Sequence, residues 1–225
     1  MSGTISSHGQ KEKRACMRVL GVDPAATGPT GYGIVESDGR RCYMLHYGAL
    51  RVAAKRQRES AFAVLQDVHE LLCKLIEDFS PDAMAVESVF TALNMRTALR
   101  LAEVRGVVLL AAAQHGLEVH SYAPREVKAK ISGHGHADKR QMQMMVRALL
   151  SMNETPEPSD AADALAVALC HLQAEQARRR FGLPVLNLLA NPRAPRALPT
   201  FTALPDGIQT GSATRSGSPR IVSTR

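Results

Sequence analysis

Two apolar runs in this chain, Met17-Arg18-Val19-Leu20-Gly21-Val22-Asp23 and Ala83-Met84-Ala85-Val86-Glu87, each end on a carboxylate. A short run that is apolar at nearly every position suits a strand in the middle of a sheet covered on both faces. Such a strand demands helices above and below it, which restricts the chain to layered α/β architectures. The carboxylate at the end is a second constraint, because an ionised acid taken out of water must find a cation or a set of donors. Each acid also has an ordinary explanation: Asp23 precedes Pro24 in a turn, and Glu87 can sit at a solvated sheet edge.

The remaining pattern supplies the other layers. Residues 31–37 and 41–51 read as strands joined by a hairpin at Ser37-Asp38-Gly39. From Arg58 to Phe79, apolar residues at 61, 65, 68, 72, 75 and 79 mark one face of a helix, stopped at Ser80-Pro81. A second helix is expected from Asn94 to His115, closed by Gly116. A strand at 117–122 and helices at 124–131, 138–152 and 159–180 follow. This order predicts a mixed sheet flanked by helices. The segment Gly106–Ala113 is apolar on every face, so it predicts a helix buried on more than one side. The sequence leaves open whether the second burial partner is the monomer core or another subunit.

Charge is distributed unevenly. Beyond position 175 there are eight Arg and one acid, Asp206, a net of +7. Removing these from the chain's 28 basic and 21 acidic residues leaves 20 of each in residues 1–175, so the expected globular part is neutral. Polyanion binding by that part requires segregated charge, and the tail is a candidate basic arm. Residues 1–16 read as a disordered leader, with Met17 a second candidate initiator. Residues 17–175 form the expected folded domain. Residues 176–225, rich in Pro, Arg and Ser, form a basic tail too poor in apolar surface to order itself. The four cysteines, at 16, 42, 73 and 170, form no CxxC pair and suggest neither zinc nor a disulfide framework. No apolar stretch is long enough to span a bilayer and no signal-peptide core is present, so the expectation is a soluble cytoplasmic protein.

Two further acids complete a pattern. Asp160 and Asp163 are three apart near the start of the last helix, which places them on one face, with Ser159 able to cap it. The helix dipole there favours their charged forms. Four carboxylates brought together from Asp23, Glu87, Asp160 and Asp163 would repel one another without a cation. An oxygen-only donor set suits Mg²⁺ or Mn²⁺ rather than zinc. Pairs of such ions serve phosphodiester hydrolysis.

The segments GVDPAATGPTGYG (21–33), AVESVF with Asn94 (85–94), YAPREVK (122–128), GHGHADKRQMQMMV (133–146) and SDAADALAVALCH (159–171) resemble the RuvC family of Holliday-junction endonucleases. The resemblance runs over about residues 17–172. It implies a ribonuclease H-like fold, a homodimer, cleavage of four-way DNA junctions in recombination and repair, and work alongside the RuvA and RuvB branch-migration proteins. Carried over, it implies that Asp23, Glu87, Asp160 and Asp163 hold two Mg²⁺ ions, with Mn²⁺ a substitute. It implies that Phe90 stacks on a base, and that Asn94, Lys128 and Lys139 contact DNA. The implied reaction is two-metal-ion hydrolysis of two opposed strands, leaving 5′-phosphate and 3′-hydroxyl ends. Ala25 and one extra residue before Thr30 depart from the family pattern, and His134 and His136 read as a DNA-facing loop. A non-catalytic junction binder and a phosphate-loop ATPase of the same superfamily are the alternatives.

Overall fold

The computed structural model describes residues 16–26, 28–51, 62–88 and 94–182, all in the first of the chain's two units, Met1–Asn187. The expected leader up to position 15, Phe90, and the tail beyond position 182 lie outside the described residues. The strands are β1 (Met17–Asp23), β2 (Thr30–Ser37), β3 (Cys42–Leu50), β4 (Ala83–Glu87) and β5 (Glu118–Tyr122). The helices are α1 (Ala63–Phe79), α2 (Met95–Gln114), α3 (Pro124–Ser132), α4 (Lys139–Leu149) and α5 (Ser159–Phe181). Every predicted element is present among the described residues, the start of the helix expected from Arg58 lying outside them, and α5 continues past position 175, where the composition changes.

The sheet order is β3-β2-β1-β4-β5. β1 pairs antiparallel with β2 and parallel with β4, and β4 pairs parallel with β5. The two runs that end on acids are therefore neighbours in the middle of the sheet. Side chains alternate across it as a pleat requires. Val19, Val35, Ala85 and Tyr122 pack with α3, α4 and α5, whereas Leu20, Val22, Ile34, Met84 and Val86 pack with α1 and α2.

α5 is the central helix of the monomer. Ala161, Ala162, Ala164 to Cys170 and Leu172 are all buried hydrophobics. Its closeness to the sheet depends on missing side chains: a Cβ on Gly21 would overlap the Ala164 carbonyl oxygen, and one on Gly31 the Asp160 carbonyl oxygen. Isolated glycines in a strand often mark such a close backbone approach. One sequence expectation needs correction here. The helix expected to be capped by Ser159 has Pro158 as its cap, with no side-chain cap bond; Ser159 already occupies the first helical position, so its hydroxyl stands too late to cap. Of the apolar run 106–113, one face is covered within the monomer. Val108, Ala111 and Ala112 are buried, but Leu109 and Leu110 are exposed, since only one face of α2 meets α1 and the sheet.

Candidate active site

The pleat decides where the acids go. Gly21 faces α5, so Asp23, two residues on, emerges on that same face. Ala85 also faces α5, which puts Glu87 beside Asp23 at the adjoining strand end. The parallel register Val22↔Val86 makes the two acids lateral neighbours. The β1–β2 ladder runs to Asp23↔Gly31. The extra residue in the connecting turn is thus absorbed outside the ladder, and Asp23 keeps its place despite Ala25. Gly31 in turn admits the first turn of α5, bringing Asp160 close and Asp163 one helical turn further along.

The electrostatics record this convergence. Burial pushes the Asp23 carboxyl up from 3.8 to about 9, reinforced by the negative charge of Glu87, Asp163 and Asp160 and by a hydrogen bond shared with Glu87. That bond holds the Asp23 carboxyl in its protonated form and favours the ionised form of Glu87, so Asp23 is the donor and Glu87 the acceptor. Burial also raises Glu87, opposed by the Asp23 bond and by the Lys128 and Lys139 ammonium groups. Asp163 rises too, again chiefly through burial, with Lys139 the largest opposing influence. For Asp163 burial outweighs the helix-dipole preference expected from the sequence, because the residue lies on the covered face of α5 rather than at its open end.

Asp23, Glu87 and Asp163, each with its proton affinity raised, stand with Asp160 as an oxygen donor set suited to a hard divalent cation, which relieves the repulsion without a proton. Among the described residues, however, no three His, Cys, Asp or Glu side chains stand together at the spacing of one ion. The donor chemistry fits such a cation, and Asp23, Glu87, Asp160 and Asp163 are the residues that would hold it.

The other expected residues fall into separate roles. Lys128 on α3 and Lys139 at the start of α4 act electrostatically on both Glu87 and Asp163. α4 is entered through a capping box in which Asp138 and Gln141 bond reciprocally, so Lys139 is held at a well-defined helix start. Asn94 caps α2, its Oδ1 accepting from the Thr97 backbone N–H at 2.9 Å and from Thr97 Oγ1 at 3.0 Å. Phe90 lies outside the described residues. His134 and His136 are exposed in the loop before α4.

Three features escaped sequence reasoning. Arg105 on α2 reaches the tips of β4 and β5, donating to the Glu87 carbonyl oxygen and Ser121 Oγ. Tyr122 hydroxyl and His171 Nδ1, both buried, are hydrogen bonded at 2.7 Å across the β5–α5 interface. The glycines at 21, 31 and 33 all face α5; their spacing of two within β2 was the available signal for a close approach.

Comparison with known proteins agrees with this geometry. The family model for "Crossover junction endodeoxyribonuclease RuvC" matches residues 19–171. The crossover junction endodeoxyribonuclease RuvC of Natranaerobius thermophilus is 43% identical over 164 residues, 73% of this chain and 99% of the relative. The solved structure of Thermus thermophilus RuvC in complex with Holliday junction substrate is 34% identical, with a TM-score of 0.66 over 74% of this chain and 97% of that one. The yeast mitochondrial Holliday junction resolvase, 14% identical with a TM-score of 0.53 over 74% of this chain and 83% of that one, shares the fold. The ribonuclease H-like mixed sheet flanked by helices is thereby borne out. The matched span runs from β1 into α5 and contains all four acids, which makes this chain a member of the RuvC family of crossover junction endodeoxyribonucleases.

Proposed function

We propose that this chain is a divalent-metal-dependent endonuclease that resolves four-way DNA junctions, acting in the cytoplasm with Asp23, Glu87, Asp160 and Asp163 as its metal-binding and catalytic acids. The observation that carries the reading is the lateral pairing of Asp23 and Glu87 at the centre of the sheet, with the first turns of α5 laid over them by Gly31. Two bound Mg²⁺ ions, or Mn²⁺ in their place, would supply Lewis acidity that activates water and offsets charge on the departing 3′ oxygen.

The chain's own residues set up the rest. Asp23, between Glu87 and the α5 acids, would hold the cations as an ionised carboxylate, the form a nearby positive charge favours. Glu87 and Asp163 would offer further carboxylate oxygens to the same ions. Lys128 and Lys139 bring positive charge to the same place and would engage the phosphate being cut. Phe90, in the connection after β4, would stack on an unpaired base, and Asn94 would position the start of α2 against the DNA. The products would carry 5′-phosphate and 3′-hydroxyl ends on two opposed strands.

A homodimer fits α2. Met95, Leu99, Ala102, Gly106, Leu109 and Ala113 recur at alternating spacings of three and four, the pattern of a helix–helix seam. Met95 is 75% exposed and Leu99 58%, so the seam is uncovered in the monomer. We assign it to a second copy, which would give two active sites for two strands. RuvA and RuvB branch-migration proteins are the expected co-workers. Residues 17–175 are proposed as the nuclease domain, with the leader and basic tail as appended segments. No helix among the described residues is long and apolar enough to cross a membrane.

The test is incubation of the protein with an end-labelled four-way junction and a linear duplex, with Mg²⁺ or chelator. Paired nicks on opposed strands of the junction alone, and only with metal, are expected. Tight junction binding without cleavage under any metal would sink the enzymatic reading in favour of a non-catalytic junction binder.

A further inference from the structure

Arg105 sits on the face of the sheet opposite the acids. It rises from α2, half-buried, and its guanidinium spans two strands: Nη1 donates to the Glu87 carbonyl oxygen at 3.4 Å and Nη2 to Ser121 Oγ at 2.8 Å. Glu87 is the last residue of β4, paired with Tyr122 of β5. One ladder bond continues beyond it, from the Ser88 backbone N–H to the Tyr122 carbonyl at 2.8 Å. The strand tip that carries the Glu87 carboxylate is therefore held by that bond and by Arg105.

We infer that Arg105 is a positioning residue, which fixes the peptide plane of Glu87 against β5 and so aims its carboxylate at Asp23 from the far side of the sheet. The inference rests on the reading of Glu87 as a metal ligand. A guanidinium suits this role because its donors lie in one rigid plane and can bind two acceptors on neighbouring strands at once. The Lys ammonium is a point charge on a flexible stem, so it can replace one bond but not the fixed spacing. Rotation of the Glu87 peptide would swing the side chain on the opposite face, since carbonyl and Cβ directions are joined through one Cα. Partners that orient a metal ligand in this way typically change metal affinity or activity by about 10- to 100-fold when removed.

The experiment uses the full chain and the variants Arg105→Ala, Arg105→Lys, Ser121→Ala, the Arg105→Ala/Ser121→Ala double and Glu87→Gln. Mn²⁺ binding is followed by titration calorimetry without DNA, junction affinity in chelator, and cleavage in single turnover. Arg105→Ala is expected to weaken Mn²⁺ binding by about tenfold while leaving junction affinity in chelator unchanged, with partial rescue by Lys. Ser121→Ala should have a smaller effect, and the double variant should be no worse than Arg105→Ala, because the two groups form one unit. Parental Mn²⁺ affinity and cleavage in Arg105→Ala, or additive losses in the double variant, would overturn the inference. Ser121→Ala keeps the test open if Arg105→Ala fails to fold: normal Mn²⁺ affinity and cleavage there also count against it. Glu87→Gln separates the two levels. If it retains Mn²⁺ binding and cleavage, the acid site itself has been misread; if it loses both while Arg105→Ala and Ser121→Ala behave as parent, only the role of Arg105 falls.

Discussion

Replacing Asp23 by Asn should destroy cleavage and at the same time stabilise the metal-free fold. The Asp23 carboxyl holds its proton up to about pH 9 in the native state, against 3.8 in a free chain. Between those values the native state keeps a proton that the unfolded chain has released, so stability falls as pH rises from about 4 towards 9. Every tenfold difference in proton affinity between the two states is worth about 1.4 kcal/mol, so at pH 7 the unfolded chain is favoured by at most about 4 kcal/mol through this one group. The carboxyl retains some contact with water and shares its proton with Glu87, so about half of that ceiling is the working figure, roughly 2 kcal/mol. Asn has no charge to bury, and its Nδ2–H can donate to Glu87 as the protonated Asp23 does.

In a domain of this size that gain corresponds to a rise in Tm of roughly 4–8 °C. Thermal melts of parent and Asp23→Asn in chelator at several pH values from 4 to 8 would measure it. The gain should be present at pH 7 to 8 and vanish near pH 4, where both states of the parent hold the proton. Adding Mg²⁺ should raise the parent's Tm and leave the Asn variant nearly unmoved, since metal binding to the native state stabilises it by mass action. An Asn variant less stable than the parent at pH 7, or a gain independent of pH, would refute the claim that Asp23 is a strained acid in an acidic cluster.

Other substitutions probe the scaffold. Gly31→Ala would drive a methyl group into the Asp160 backbone, a contact that only movement of α5 relieves; a destabilisation of about 1–3 kcal/mol and severe loss of cleavage are expected by denaturant titration and junction nicking. Gly33→Ala, which meets the flexible Leu165 Cδ2 at 2.6 Å, should be milder on both. Tyr122→Phe would leave buried His171 without its Nδ1 partner, and its Nε2 already has none among the described residues; the expected cost is about 1–3 kcal/mol, read from urea melts. Leu99→Glu combined with Leu109→Glu should convert a dimer to a folded monomer in sedimentation equilibrium, and an unchanged dimer would remove α2 from the seam.

What the sequence could and could not disclose follows from the range of the forces involved. Hydrophobic period and turn chemistry are local, and they gave β4 its ends and the other elements to within a few residues. Asp23 and Glu87 were legible because a buried strand that ends on an acid violates the local rule at a visible place. Apolarity on all sides was a less specific signal: the same pattern in α2 marks a face left uncovered within the monomer, while α5, buried nearly all round, carries no comparable signal because its small alanines resemble ordinary helix formers. Lateral relations were harder still. That β1 and β4 are neighbours is a matter of topology, and Arg105 is just one more arginine on a helix until β4 and β5 end side by side beneath it. The glycines stand between these cases. Gly21, Gly31 and Gly33 cost strand propensity, and that cost is offset where α5 sits against their bare backbone. The site thus depends on the absence of side chains at three positions as much as on the presence of four acids, and a substitution there should act on Asp160 and Asp163 without altering any of the four acids.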